Sequence, residues 1–505
     1  MEPPLTAPSL FTSVFDDDIE HSFSEATLNG WAPDAGIYWP KNIPELARAD
    51  LRKMAKLSYP QLVGEILAIY AQGDALISEA EIHSIAQETF RSFGCKSVVE
   101  LAKIGPFDIL ELWHGPTLAF KDLGMAVLMR IIELLMRKRK TKMTLLVGTS
   151  GDTGSSAMEA VRDLAGLRIC VLYPLPGYSA ISRVQEAQMT RVAEARSHVH
   201  LVGVEGTSDD LDVPLEACFR DTPFSRELNL GSVNSINIVR LIVQCVHYIY
   251  AYLQLAPDID KTIVFSVPCG AGGHLAAGML AIKMGLPAKL VVATNANDAL
   301  HQILSTGKLE KMPAIQTISP SMDIQMPYNL WRLLHVASTS STDSVRQWRD
   351  QLVDTSSIFI PPNVLATLAE HISSASVSDE ETMDAIRWAH RNYCYLVDPH
   401  TAVGVAAARR LAPAALSNIV VCMSCAHPVK FLSSVAKAIR TSEGELLKEI
   451  CEDYSWHSGV CEVAGLASAC VEAATLGGCS RVLRVGDRAK WESDLRVFLR
   501  QVAEE

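Results

Sequence analysis

The sequence predicts an α/β protein built from two parallel-sheet domains, and three features carry that prediction. From Phe107 onward, apolar strand-like runs alternate with amphipathic helical patterns, as in a parallel sheet with helices on its faces. The alternation comes as two series, parted by a long helical pattern over 235–253 and the Pro257-Asp258 pair. Several turns in these series bear reactive or glycine-rich residues, and two facing α/β layers place a site between them.

Taken in order, residues 1–20 are Pro-rich and then acidic at Asp16-Asp17-Asp18, with no apolar period, so a loose arm is expected. Residues 21–104 form a mostly helical region, with turns at 32–36 and at Trp39-Pro40. The first α/β domain, 105–255, has strands expected over 107–112, 143–148, 167–173 and 198–204, with helices at 155–164 and 181–193. The second, 256–440, has strands over 262–267, 289–294 and 419–425, its first helix running over 274–284. Residues 441–505 read as a C-terminal extension with a helix and a strand near 480–485.

With 505 residues, 49% of them hydrophobic, the chain can bury a large core across two or three domains. A net charge of −12 argues against a nucleic-acid partner, which requires a basic face. The basic run Arg137-Lys138-Arg139-Lys140 ends a helical pattern, where cations complement the helix dipole. No stretch reaches about eighteen uninterrupted apolar residues. Met1-Glu2-Pro3-Pro4 lacks the features of a signal peptide, so a soluble, cytoplasmic protein with no membrane partner is expected. The 12 cysteines are scattered as reduced core thiols would be. Cys422-Met423-Ser424-Cys425 has no second pair, and no metal site is expected.

Chemistry concentrates at the turns. Lys121 sits where the strand pattern at 107–112 hands over, through Gly115-Pro116, to a long helix, and it is flanked by Phe120 and Leu123. Partial desolvation there lowers an amine's pKa and makes it a usable nucleophile. Taken alone, such a lysine is most often a snorkelling surface residue. Two further strand-to-helix turns change its setting. Gly148-Thr149-Ser150-Gly151-Asp152-Thr153-Gly154 and Pro268-Cys269-Gly270-Ala271-Gly272-Gly273-His274 each leave backbone N–H groups at a helix start, able to cradle an anion. Neither is a P-loop, and Leu275 stands where the dinucleotide fingerprint needs glycine, so a nicotinamide oxidoreductase survives only through a degenerate motif. A catalytically silent binding protein is the other alternative. One chemistry uses all three turns: pyridoxal phosphate held as a Schiff base on lysine, its phosphate in one cradle and a substrate carboxylate at the other. Thr401, in Asp398-Pro399-His400-Thr401-Ala402-Val403-Gly404, could offer the pyridine nitrogen a neutral hydroxyl or simply cap a helix.

The run His114-Gly115-Pro116-Thr117-Leu118-Ala119-Phe120-Lys121-Asp122, the turns at 148–154 and 270–274, Asn234-Ser235-Ile236-Asn237 with Arg240, 398–404 and Ala426-His427-Pro428-Val429-Lys430-Phe431 occur in a telling order. In motif and order the chain resembles the tryptophan-synthase β-like (fold type II) pyridoxal-phosphate enzymes, and within them the threonine synthases. Gly203-Val204-Glu205-Gly206 and the stretch 321–329 look closer still to the threonine synthase-like proteins, whose relatives act as phospholyases. The resemblance implies that Lys121 carries the cofactor, with Gly270, Ala271, Gly272, Gly273 and His274 on its phosphate, Thr401 at the pyridine nitrogen and Asp152 near the ring hydroxyl. It implies that Thr149, Ser150, Gly151 and Thr153 take the substrate carboxylate, and that Arg240, His427 and Lys430 are candidates for the substrate phosphate. The implied reaction eliminates phosphate from O-phosphohomoserine or O-phosphothreonine, giving threonine or 2-oxobutyrate plus ammonia, in a monomer or homodimer. An enzyme of specialised metabolism that adds another nucleophile to the vinylglycine-type intermediate is the alternative within the family. Two departures stand out. Phe11-Thr12-Ser13-Val14 replaces the usual Ser-Thr-Arg-Gly near the N-terminus, and Gly270-Ala271-Gly272-Gly273-His274 replaces a Gly-Asn-Phe-Gly cradle.

Overall fold

The computed structural model describes residues 8–149, 151–415, 419–472, 481–483 and 485–504. Two sheets dominate. One runs in the order Arg481–Leu483, Val199–Val204, Leu167–Pro174, Met143–Gly148, Leu230–Gly231, with every neighbouring pair parallel. The other runs Ile372–Ser376, Ala288–Thr294, Ile263–Pro268, Ile419–Ser424, Phe107–Glu111, Glu100–Ile104, parallel except for its last pair. The runs Met143–Gly148 and Ile263–Pro268 are almost wholly buried, as expected for strands covered by helices on both faces.

The α/β class and both series of strands stand as expected, but three boundaries move. The strand Phe107–Glu111 belongs to the second sheet, where it pairs with Ile419–Ser424, although the sequence order places it in the first domain. Its five residues are all buried, and this neighbour covers an edge that would otherwise be open. The strand Glu100–Ile104 lies inside the region read as helical and extends the same sheet antiparallel. The C-terminal extension is integral to the first sheet, since Arg481–Leu483 pairs with Val199–Val204.

The loose arm is also corrected from residue 8 onward. Leu10–Ser13 pairs antiparallel with both Glu20–Ser22 and Tyr38–Pro40. The acidic run between the first two strands is a turn, where the Asp18 N–H donates to Asp16 Oδ1 at 3.0 Å. Phe11 is fully buried between the rings of Phe23 and Tyr70. A four-residue strand is too short for periodicity to reveal, and burial of one aromatic side chain fixes it.

The helix Ile238–Leu255 is long and apolar enough to cross a membrane, yet 83% of that window is buried. It packs against helices Tyr59–Tyr70, Lys121–Arg139 and Gly273–Lys283, so it is a core helix that ties the N-terminal region to both α/β layers. Truncating Phe11→Ala removes a buried ring from this arrangement. A loss of about 3 to 5 kcal/mol is expected on chemical denaturation, whereas a loose arm would show no change.

Candidate active site

The turn that presents Lys121 is over-determined. Thr117 Oγ1 donates to Asp122 Oδ1 at 2.6 Å and the Thr117 N–H donates to Oδ2 at 2.8 Å, folding residues 115–122 onto themselves. A side chain at position 115 would place its Cβ 2.4 Å from Asp122 Cβ, so glycine is required there. Leu118 is held at φ 57°, a left-handed conformation that costs a leucine about 1 kcal/mol or more. It persists because the turn is pinned to the end of strand Ile419–Ser424. The Phe120 N–H donates to the Cys425 carbonyl at 2.8 Å, and the His427 N–H to the Leu118 carbonyl at 3.0 Å.

Lys121 therefore begins helix Lys121–Arg139 with its side chain only 13% exposed. Burial lowers the pKa of its amine, Asp152 works against that shift, and Arg240 adds to it. A lowered amine spends more of its time neutral and nucleophilic at ordinary pH.

Asp152 opens helix Asp152–Val161 and is buried between two lysines. Its Oδ1 accepts from Lys430 Nζ at 2.9 Å and Gln185 Nε2 at 2.8 Å, while Oδ2 accepts from Ser321 Oγ at 3.1 Å and lies 3.8 Å from Lys121 Nζ. Burial alone would raise this carboxyl, but the charges of Lys430 and Lys121 outweigh it and hold the group well below the usual carboxylate range. In the turn before it, the Thr149 hydroxyl accepts from the N–H groups of Gly151 at 3.0 Å and Gly154 at 2.9 Å, so it shapes the loop from within. Ser150 lies outside the described residues.

The second glycine turn links strand Ile263–Pro268 to helix Gly273–Lys283. Gly272 adopts φ 75°, and a Cβ on Gly270 would come within 2.9 Å of Met322 Cα. Asn329 braces this turn by donating from Nδ2 to the Ala271 carbonyl at 3.0 Å and to Ser235 Oγ at 3.2 Å. Asn329 is in turn held by the buried Arg332, whose other nitrogens donate to the carbonyls of Tyr38 at 2.9 Å and Ile236 at 2.5 Å. His274 stacks on Phe120 with centroids 5.2 Å apart and sits 3.2 Å, Nε2 to Nδ1, from His247. Burial pushes the His274 imidazole down to about 3, so it is neutral, and its Nδ1 has no partner.

These elements enclose one cavity of about 1190 Å³, lined by Lys121, Thr149, Asp152, Thr153, Arg240 and the run 270–274. Arg240 is a buried cation on this wall that has no counter-ion. It is 2% exposed, donates from Nη1 to the Val233 carbonyl at 3.0 Å, leaves Nε unpartnered and makes no ion pair among the described residues. Burial lowers it to about 10, which keeps it charged at neutral pH.

Four expected residues do not reach the cavity wall, one of them Gly151, whose N–H is spent on Thr149 Oγ1. Thr401 donates its hydroxyl proton to Asp398 and accepts from the Cys425 N–H at 2.8 Å, so it builds the turn under Lys121. His427 is packed edge-on to Trp113 and Tyr454, its Nδ1 accepting from the Val429 N–H at 3.2 Å. Lys430 is fully buried and spent on Asp152 and on the Thr117 carbonyl, 2.7 Å away. Conversely, Ser321, His400 and Cys425 line the cavity without having been singled out. Cys425 was legible only as half of a Cys-x-x-Cys, and His400 only as a neighbour of Thr401.

A lysine amine depressed by burial, a cradle whose glycines cannot bear side chains and the unpartnered Nδ1 of the buried His274 fit a phosphorylated aldehyde cofactor. Comparison with known proteins bears directly on that fit. The family model for pyridoxal-phosphate dependent enzymes matches residues 110–370, that for the threonine synthase N terminus matches 10–90, and that for the threonine synthase C-terminal region matches 401–465. The chain belongs to the threonine synthase family. Its cofactor is pyridoxal phosphate, and its fold is that of the fold type II enzymes. It is 38% identical to threonine synthase-like 2 of Rattus norvegicus over 84% of this chain and 87% of that protein. It is 36% identical to threonine synthase of Pseudomonas aeruginosa over 83% and 87% of the two chains. The crystal structure of pyridoxal-phosphate-bound threonine synthase from Brucella melitensis superposes with a TM-score of 0.85 at 30% identity, covering 98% of this chain and 100% of that one.

Replacing Lys430→Met strands the Asp152 carboxylate in the interior. A loss of about 3 to 5 kcal/mol is expected on chemical denaturation, against less than about 0.5 kcal/mol for the exposed Lys437→Met. Equal effects would mean that the pair carries no weight in the fold.

Proposed function

We propose that the enzyme eliminates phosphate from O-phosphohomoserine or O-phosphothreonine, yielding threonine or 2-oxobutyrate plus ammonia. The observation that carries this reading is Arg240, a buried guanidinium with no carboxylate partner on the wall that also holds Lys121. Such a group is costly to bury unless an anion completes it, and a phosphate dianion is the natural partner for its fork of N–H donors.

When bound, pyridoxal phosphate supplies an electron-accepting ring that acidifies the substrate's Cα and Cβ hydrogens and lets the phosphate depart. Lys121 would hold the cofactor through Nζ, and its lowered pKa would suit the amine to moving protons at the substrate's Cα and Cβ. The backbone of 270–273 and the free Nδ1 of His274 would hold the cofactor phosphate at the start of helix Gly273–Lys283. Thr153, with Ser150 as the resemblance implies, would take the substrate carboxylate at the start of helix Asp152–Val161, while the Gly151 N–H is spent on Thr149, which shapes that turn. Asp152 keeps a negative charge beside Lys121 and would stand near the cofactor's ring hydroxyl, as the resemblance implies. Arg240 binds the leaving phosphate; His427 and Lys430, enclosed away from the cavity, have no part in that step.

Phosphate release should be measured with O-phosphohomoserine, O-phosphothreonine and O-phosphoserine, with products separated. Release from one of the first two is expected, threonine marking a synthase and 2-oxobutyrate a phospholyase; no release from any of the three would overturn the reading. Arg240→Met should raise KM for the phosphorylated substrate by at least about tenfold, while an unphosphorylated amino acid perturbs the cofactor absorbance as in the parent enzyme. An unchanged KM would remove Arg240 from the phosphate site.

A further inference from the structure

A second constellation lies apart from the cavity, where the N-terminal region meets the lysine motif. In the antiparallel pair at the edge of the second sheet, Glu100 stands directly opposite Glu111, so both carboxylates project on one face. The backbone of Gly94 joins the same corner, its N–H donating to the His114 carbonyl at 3.0 Å. This contact brings Cys95 against the strand pair. Cys95 Sγ lies 2.9 Å from Glu100 Oε1, and Cys95 Sγ, a Glu100 oxygen and a ring nitrogen of His114 all lie within 4.8 Å of one another. Cys95 and His114 are buried and Glu100 is exposed, so two ligands are pre-positioned and the third faces the route of entry. None of the three lines the catalytic cavity.

Thiolate, carboxylate and imidazole are the three donor types that zinc-class cations take, and three protein ligands leave the fourth tetrahedral position for water. The surroundings of His114 strengthen the case. Its Nε2 is 3.0 Å from Glu111 Oε2, and Glu111 in turn accepts from the Tyr395 hydroxyl. A carboxylate on the far nitrogen orients a metal-bound imidazole and raises its basicity. With the proton on Nε2, Nδ1 carries the lone pair. That lone pair now faces His457 Nε2, 3.1 Å away. The Val460 N–H donates to His457 Nδ1 at 3.2 Å, so His457 keeps its proton on Nε2 and is a donor to His114, not a fourth ligand.

We propose that Cys95, Glu100 and His114 form a three-ligand site for a zinc-class divalent cation, with water as the fourth ligand. Positions 95, 100 and 114 form no compact spacing motif in the sequence; the strand pair and the Gly94–His114 contact bring them together. Binding replaces the thiol S–H bond by a sulfur–metal bond and releases that proton to solvent, with no change of oxidation state. The ion also competes with the His457 N–H for His114 Nδ1. Occupancy therefore loosens the contact by which the C-terminal segment grips the motif that ends in Lys121, seven residues further along the chain.

The holoenzyme, stripped with a chelator and then titrated with zinc against a chromophoric chelator, tests the site. One equivalent of zinc per chain is expected. Cys95→Ser and Glu100→Gln should each weaken binding by at least about tenfold, while Cys451→Ser, which removes an exposed cysteine elsewhere, leaves it unchanged. Cofactor absorbance serves as the folding control, and Glu100 is exposed enough to be changed without a packing defect. Substoichiometric binding by the parent enzyme, or binding by a folded Glu100→Gln or Cys95→Ser protein equal to the parent's, would overturn the proposal.

Discussion

Everything near the reactive amine depends on one buried carboxylate held between two lysines. Asp152 comes from the first sheet's layer, Lys430 from the loop that follows the second sheet's central strand, and Lys121 from the turn between them. In a low-dielectric interior an uncompensated carboxylate would cost several kcal/mol, so the pair with Lys430 locks both layers in one relative position. The same carboxylate stays ionised beside Lys121. Burial and Arg240 depress the amine while Asp152 supports it, and the net shift is downward.

That arrangement explains why Lys430, expected on the substrate, is enclosed instead. A lysine next to a family motif can serve the substrate or the scaffold, and spacing alone does not separate the two. Its fully buried Nζ, within reach of Asp152 and the Thr117 carbonyl, decides for the scaffold. Thr401 shows the same ambiguity. Its hydroxyl supports the Cys425 N–H, and Cys425 supplies the carbonyl that pins Phe120, so it acts on Lys121 through two backbone bonds.

The strand-to-helix turns were legible because glycine tolerance and hydrophobic alternation are local properties. Gly115, Gly270 and Gly272 are required by contacts or φ angles that span only a few residues or one neighbouring loop. What could not be read is long-range. Arg332 braces Asn329, and through it the glycine cradle, with donors that reach Tyr38 and Ile236, 294 and 96 residues away in the chain. The exchange of Phe107–Glu111 into the second sheet and the return of Arg481–Leu483 to the first are also invisible to periodicity, which reports the period of a strand but not its partner. The N-terminal strand Leu10–Ser13 was hidden by its own shortness and by an acidic turn that reads as disorder.

The central claim is that one amine, Lys121, carries the cofactor. Its most direct test is borohydride reduction of the holoenzyme followed by proteolysis and mass mapping of the pyridoxyl group. The pyridoxyl mass is predicted on the peptide containing Lys121 and on no other. Label on Lys430, or spread over surface lysines while Lys121 stays unmodified, would contradict the account.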